Sequence, residues 1–357
     1  MSKVHNYSAG PCILPQEVFQ EASNAVLDFN NSGLSILEIS HRSPDFVAVM
    51  EEARQLVKDI LKVPEGYTVL FLQGGASTGF LTAAYNMLTT NGKAAYVNTG
   101  SWSTKAIKEA KKLGNADEIA SSADKNFNYI PKNYDIPAGA DYLHLTSNNT
   151  IFGTQIKMFP KTDVPVLCDM SSDIFSREIN VADFDLIYAG AQKNLGPAGA
   201  TLYIVKESVF QKSGRDIPSM LDLEIHHKKD SMFNTPPVYS VYVSMLNLRY
   251  MIKQGGLAAM QKKAEQRAEL IYREIERNPL FEAAVPDIED RSKMNATFVL
   301  KDEVHKDRFD LLVKEARING LKGHRSVGGY RASMYNALPV DSVQVLVETM
   351  QELEKGA

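Results

Sequence analysis

Short apolar runs alternate along this chain with stretches of helical spacing. Residues 68–72, 93–98, 141–145, 164–169, 186–191 and 200–205 are mostly apolar blocks of strand length, and each predicts a strand. Helices are predicted over Pro15–Phe29, Pro44–Leu61 and from the turn at Gln73 to about Leu88. The second places Phe46, Met50, Ala53, Val57 and Ile60 on one face. Strands alternating with helices predict an α/β domain with a mainly parallel sheet. Residues 115–140 read as connecting structure, and 211–237 as irregular and polar, with His226-His-Lys-Lys229 a solvated loop.

The pattern then changes. After a helix over Tyr239–Lys253, Gly255-Gly256 signals a hinge. A long amphipathic helix follows over Leu257–Arg277, with Leu257, Met260, Ala264, Ala268, Ile271 and Ile275 on one face. A strand at Ala296–Leu300, a helix at Arg308–Asn319, a strand at Tyr330–Tyr335 and a helix at Asp341–Leu353 complete a smaller α+β unit. Residues 5–15, with two prolines and a glycine, read as an extended arm. The expected division is a large domain over 16–255, with 1–15 and 256–357 forming the arm and the small domain.

Ligands of open α/β sheets gather at the carboxyl ends of the strands. At one such end, the apolar run Leu186–Ala191 gives way to Gln192-Lys193-Asn-Leu-Gly-Pro-Ala-Gly199. Burial there disfavours an ammonium and lowers its pKa, and a neutral amine condenses with aldehydes. Taken alone, Lys193 reads equally well as a strand-end lysine reaching out to solvent. A second run, Val164–Asp169, ends in a carboxylate. Pyridoxal phosphate (PLP) needs both: a lysine for its aldehyde, and an anion beside its pyridine nitrogen. The alternative for Asp169 is a cap before Ser171 and Ser172. Gln73-Gly-Gly-Ala-Ser-Thr78 joins a strand to a helix, a phosphate cradle or a plain tight turn. Trp102, the only tryptophan, follows another strand end, placed either for the core or for stacking on a flat ring.

Five blocks carry a resemblance. Ser40-His-Arg-Ser43, Phe71-Leu-Gln-Gly-Gly-Ala-Ser77, Tyr188-Ala-Gly-Ala-Gln-Lys193-Asn-Leu-Gly-Pro-Ala-Gly199, Ser231-Met-Phe-Asn-Thr-Pro-Pro237 and Gly323-His-Arg-Ser-Val-Gly-Gly-Tyr-Arg-Ala-Ser333 resemble, in order, segments of the phosphoserine aminotransferase family. With flanking sequence they span residues 5–337. The resemblance implies the PLP-dependent transferase fold of type I, with a mainly parallel seven-stranded sheet. It also implies a homodimer with shared active sites that interconverts 3-phosphooxypyruvate plus glutamate with O-phosphoserine plus 2-oxoglutarate, as in serine biosynthesis. A phosphorylated, threonine-like vitamin B6 precursor stays open as a second substrate. Lys193 would hold the cofactor as an imine and Asp169 its pyridinium. Ala76 and Ser77 would bind its phosphate, Trp102 its ring face and Thr150 its 3′ oxygen, with Gln192 alongside. Asn234 and Thr235 would reach the other subunit's cofactor phosphate. His41, Arg42, His324 and Arg325 would hold the substrate's distal anion and Arg331 its α-carboxylate. Gly75-Ala76-Ser77 lacks the arginine of some family members, which shifts the phosphate onto main-chain donors. Asn234-Thr235 by itself reads as turn chemistry, and each arginine singly as surface charge.

Composition narrows the alternatives. The chain has 357 residues, 44% of them hydrophobic, with a net charge of −4, so nothing points to nucleic acid and an anionic substrate needs local cations. Two cysteines make neither a disulfide framework nor a zinc site, and no metal is expected. Cys168 reads as inert core. The first residues lack the apolar run of a signal peptide and no stretch approaches membrane-spanning length, so a cytoplasmic location is expected. The competing readings are another aminotransferase of the same fold, a desulfurase (for which neither Cys12 nor Cys168 is suitably placed) and a non-catalytic phosphometabolite-binding protein.

Overall fold

The computed structural model describes residues 3–357; the first two residues of the expected 1–15 arm lie outside the described residues. The arm begins with a two-residue strand, β1 (His5–Asn6). Two helices follow, α1 (Gln16–Leu27) and α2 (Pro44–Leu61). Ser43 caps α2 by accepting the Phe46 amide, and Pro44 occupies its first turn, where no amide hydrogen is needed. The chain then alternates β2 (Tyr67–Gly74), α3 (Ala76–Met87), β3 (Lys93–Asn98), α4 (Ser101–Ala110) and β4 (Asn115–Ser121). Next come β5 (Tyr142–Thr146), β6 (Val166–Asp169), β7 (Leu186–Gly190) and β8 (Gly199–Lys206). The remainder is α5 (Leu223–Lys228), α6 (Val238–Lys253), α7 (Gly256–Arg277), β9 (Phe281–Ala283), β10 (Asn295–Leu300), α8 (Lys306–Glu315), β11 (Ile318–Asn319), β12 (Tyr330–Ser333) and α9 (Val340–Lys355).

Seven strands form one sheet in the order β2-β8-β7-β6-β5-β3-β4. From β7 to β4 every pair is parallel, whereas β8 runs antiparallel to both of its neighbours. The central strands are buried on both faces, which is why they read as continuous apolar runs. Alternate residues serve two cores. Leu143, Leu145, Cys168 and Ile187 face α1, α2 and α6, while Tyr142, Leu167, Leu186 and Tyr188 face α3 and α4. A three-stranded antiparallel sheet, β12-β10-β9, packs with α7, α8 and α9 around a separate apolar core containing Phe281, Phe298 and Phe309.

Three expectations are corrected. Residues 115–121 are the edge strand β4, not connecting structure. A sheet edge open to solvent demands no apolar alternation, so its Asn-Ala-Asp-Glu-Ile-Ala-Ser gave no strand signal. The polar stretch 211–237 contains α5, capped by the Asp222 carboxylate. His226 is fully buried there, 3.1 Å from the Met220 carbonyl oxygen, rather than solvated. The helix expected over 308–319 ends at Glu315. Arg317 takes a left-handed conformation (φ 56°), and Ile318–Asn319 then pairs in parallel with the arm strand β1.

Candidate active site

β2, β3, β5, β6 and β7 all point their carboxyl ends at one edge of the sheet, because β2 is antiparallel to β8, which is itself antiparallel to β7. The loops leaving those ends converge on a cavity of about 330 Å³. From the expected set, the cavity is lined by Ala76, Ser77, Trp102, Thr150, Asp169, Gln192, Lys193, His324 and Arg331.

Lys193 lies three residues beyond β7 and is only 8% exposed. Its ammonium donates to the Thr150 hydroxyl at 2.8 Å and stands 5.9 Å from the Trp102 ring centroid. Burial brings its pKa down to about 8; Arg331 pushes the same way, and Asp169 resists. Asp169, the last residue of β6, is 5% exposed. Burial raises its pKa, and the Ser171 hydroxyl and amide together with the Lys193 charge oppose the rise. The Ser171 amide reaches its Oδ1 at 2.9 Å. A buried carboxyl and a buried amine thus share one cavity, loss of solvent working against the charge of each and the opposite charge of the other working for it.

At one end α3 begins without a side-chain cap at Gly75, which leaves first-turn amides at Ala76 and Ser77 without one. Gly190 clears the approach: a Cβ there would sit 3.3 Å from the Ala76 nitrogen and 2.7 Å from the Gln192 amide oxygen. Trp102 belongs to the first turn of α4, and its indole nitrogen is buried with no partner. At the other end Arg331, on β12, donates to the Thr150 carbonyl at 3.4 Å and keeps its Nε buried and unpartnered. Burial depresses its pKa. His324 is held below the usual histidine value by burial and then by Arg331, Arg325 and Lys105.

This arrangement fits PLP. Uncapped helix amides and a side-chain-free approach would suit a phosphate, the unpartnered indole would suit a flat ring, and the buried carboxyl and amine of the same cavity are the groups that a pyridine nitrogen and an aldehyde would require.

Five expected residues do not line the cavity. His41 and Arg42 precede α2, with Arg42 exposed; Arg325 and Thr235 are also exposed. Asn234 donates to the Gln73 side chain at 3.1 Å, one residue before the Gly74-Gly75 turn, and its own amide oxygen is buried without a partner. Other residues line the cavity without having been assigned to it: Ala9, Gly10, Thr146, Asn148, Ile151, Ser171 and Ser172. Ser171 and Ser172 carried a signal, following Asp169 directly. Ala9-Gly10 carried none beyond glycine, yet Gly10 (φ 134°) brings the arm so close that a Cβ would meet the side chains of Gln192 and Lys193 at 3.4–3.5 Å. Cys12 donates to the Lys193 carbonyl at 2.8 Å, and burial lifts its pKa to about 12, a poor setting for a reactive thiolate.

Residues 4–346 match the family model for class-V aminotransferases. Over 353 residues, 99% of each chain, the sequence is 63% identical to a phosphoserine aminotransferase of Flavobacterium johnsoniae. It is 53% identical to the one from Phocaeicola vulgatus, again over 99% of each chain. Among solved structures it is similar to phosphoserine aminotransferase from Bacillus circulans subsp. alkalophilus, at 43% identity and TM-score 0.96 over 99% of both chains. It is also similar to the PLP-bound phosphoserine aminotransferase of Trichomonas vaginalis, at 32% identity and TM-score 0.93 over 98% of this chain and 100% of that one. The chain belongs to the phosphoserine aminotransferase family of class-V aminotransferases.

Proposed function

We propose that this enzyme transfers the amino group between glutamate and 3-phosphooxypyruvate, giving O-phosphoserine and 2-oxoglutarate, with PLP held at Lys193. The observation that carries the reading is the buried Lys193 amine, its pKa down to about 8, sharing a cavity with the buried Asp169 carboxylate. When bound, PLP supplies an aldehyde for the amine and a ring that accepts electrons. The chain's own residues do the rest. Asp169 places a negative charge in the cavity floor. Lys193, its pKa brought down to about 8, takes up and returns a proton at Nζ. Thr150 orients that nitrogen, and the α3 amides with Ser77 hold phosphate. Arg331 offers a planar fork to an α-carboxylate. Water is limited by the arm, which closes over Lys193 at Gly10.

His41, Arg42 and Arg325 complete the distal-anion site in this proposal. His41 and Arg42, with Asn234 and Thr235, act on a second copy's cavity in a homodimer. That assignment is supported by the buried, unpartnered Asn234 amide oxygen and His41 Nε2. The same reading divides the chain at residues 255 and 256, supported by the separate apolar cores, and includes a cytoplasmic location. A vitamin B6 precursor bearing phosphate and carboxylate at similar separation fits the same cations.

The visible spectrum of the purified protein, with and without glutamate, tests the proposal. A visible band that glutamate bleaches and 3-phosphooxypyruvate restores is expected. A protein that binds O-phosphoserine with no visible band would be a binding protein instead.

A further inference from the structure

One cation beside the cavity, Lys105, has no role assigned to it. Lys105 lies one turn after Trp102 on α4, and its ammonium sits 4.4 Å from the indole centroid. The pKa of His324, which lines the same cavity as Trp102, is lowered by Lys105 as well as by Arg331 and Arg325. Among the described residues, none of Lys105, Arg325 or Arg331 pairs with a carboxylate; the contacts found are the indole for Lys105 and the Thr150 carbonyl for Arg331. Just past the end of the same helix, Lys112 does pair with Glu109. A chain of net charge −4 therefore concentrates unbalanced positive charge at one opening.

Under the proposed function Arg331 takes the α-carboxylate. His324 and Arg325 are assigned to the distal anion, and Lys105 alone is left without one. An exposed contact between an ammonium and an indole face is weak and readily exchanged. A charge-assisted hydrogen bond to a phosphate is stronger. An arriving anion would therefore draw Lys105 off the ring.

We propose that Lys105 is a specificity-determining residue: with His324 and Arg325 it forms the own-chain wall of the distal-anion site, and Trp102 parks its ammonium until a phosphate or carboxylate arrives. The proposal rests on the aminotransferase reading above.

The test uses the holoenzyme, whose cofactor cradle is already filled, and the variants Lys105→Met and Lys105→Arg. Because Trp102 is the only tryptophan, its emission reports on Lys105 directly. Inorganic phosphate should change the emission of the wild-type enzyme and leave Lys105→Met unmoved. In kinetics, Lys105→Met should raise KM for O-phosphoserine by about tenfold, the low end for losing a charged hydrogen bond. The rise should be smaller for glutamate and absent for alanine, which has no distal anion, and Lys105→Arg should restore most of the loss. An unchanged KM for O-phosphoserine, or an equal loss with alanine, would overturn the proposal. A wild-type enzyme that never turns over O-phosphoserine would instead defeat the parent reading, and the phosphate titration would still decide for or against an anion at Lys105.

Discussion

Replacing Lys193 with methionine should make the cofactor-free protein more stable at neutral pH. Methionine keeps much of the length and apolar bulk of lysine and removes the charge. In the folded protein burial lowers the Lys193 pKa from 10.5 to about 8. In the unfolded chain it returns to its ordinary value. Below pH 8 both states bind the proton, and folding carries the whole penalty of burying the charge. Between pH 8 and 10.5 the unfolded state binds more protons than the folded one, so stability rises with pH. Above 10.5 both states are neutral and the penalty is gone. At about 1.4 kcal/mol per decade, the drop of 2.5 decades (10.5 − 8) corresponds to on the order of 3 kcal/mol. Urea unfolding of the two apoproteins at pH 7 and at pH 10.5 measures this. The stability difference, methionine variant minus wild type, should shrink by about 3 kcal/mol across that interval. A difference that is the same at both pH values would refute the claim that Lys193 is buried at a cost to its charge. The holo preparations provide a second readout, since the variant should show no visible band.

Asp169→Asn should retain PLP yet lose turnover by about a hundredfold or more, because a nearby carboxylate shifts a neighbouring proton affinity by about 1–3 decades; near-normal turnover would remove Asp169 from the mechanism. Arg331→Ala should lower kcat/KM about ten- to a hundredfold for phosphoserine, glutamate and alanine alike. Arg42→Ala should hurt phosphoserine and glutamate and spare alanine, and a uniform loss in this variant would contradict the distal assignment. Asn234→Ala with Thr235→Ala should weaken PLP retention, and mixed dimers with Lys193→Ala should recover activity in one of the two sites; a fully active monomer would exclude a shared site.

Much of the fold was legible along the chain because parallel strands buried on both faces must be continuously apolar. Leu186–Gly190 and Tyr142–Thr146 could scarcely be anything else in an α/β pattern. The turn residues after those strands were legible for a related reason: a lysine or aspartate at the end of a buried run is expensive to keep and so marks itself. Asp169 and Lys193 stood out this way, while Trp102 and the Gly74-Gly75 turn stood out by following strand ends. β4 was missed because an edge strand has only weak apolar demands. β11 was missed because two residues carry no periodicity, and their pairing with β1 joins positions more than 300 residues apart.

The sequence by itself determined the class of fold, the residues able to carry the chemistry and, through its ordered blocks, the family. Each of these follows from local pattern, where one residue's neighbours along the chain settle its environment. The tertiary structure alone decided which of those residues share a cavity. It brought Arg331 of the small sheet to the Thr150 carbonyl, laid Gly10 of the arm against Lys193, and left His41, Arg42, Asn234 and Thr235 outside their own chain's cavity. It also set the Lys193 amine near pH 8, since proton affinity depends on how completely water is excluded by segments distant in sequence.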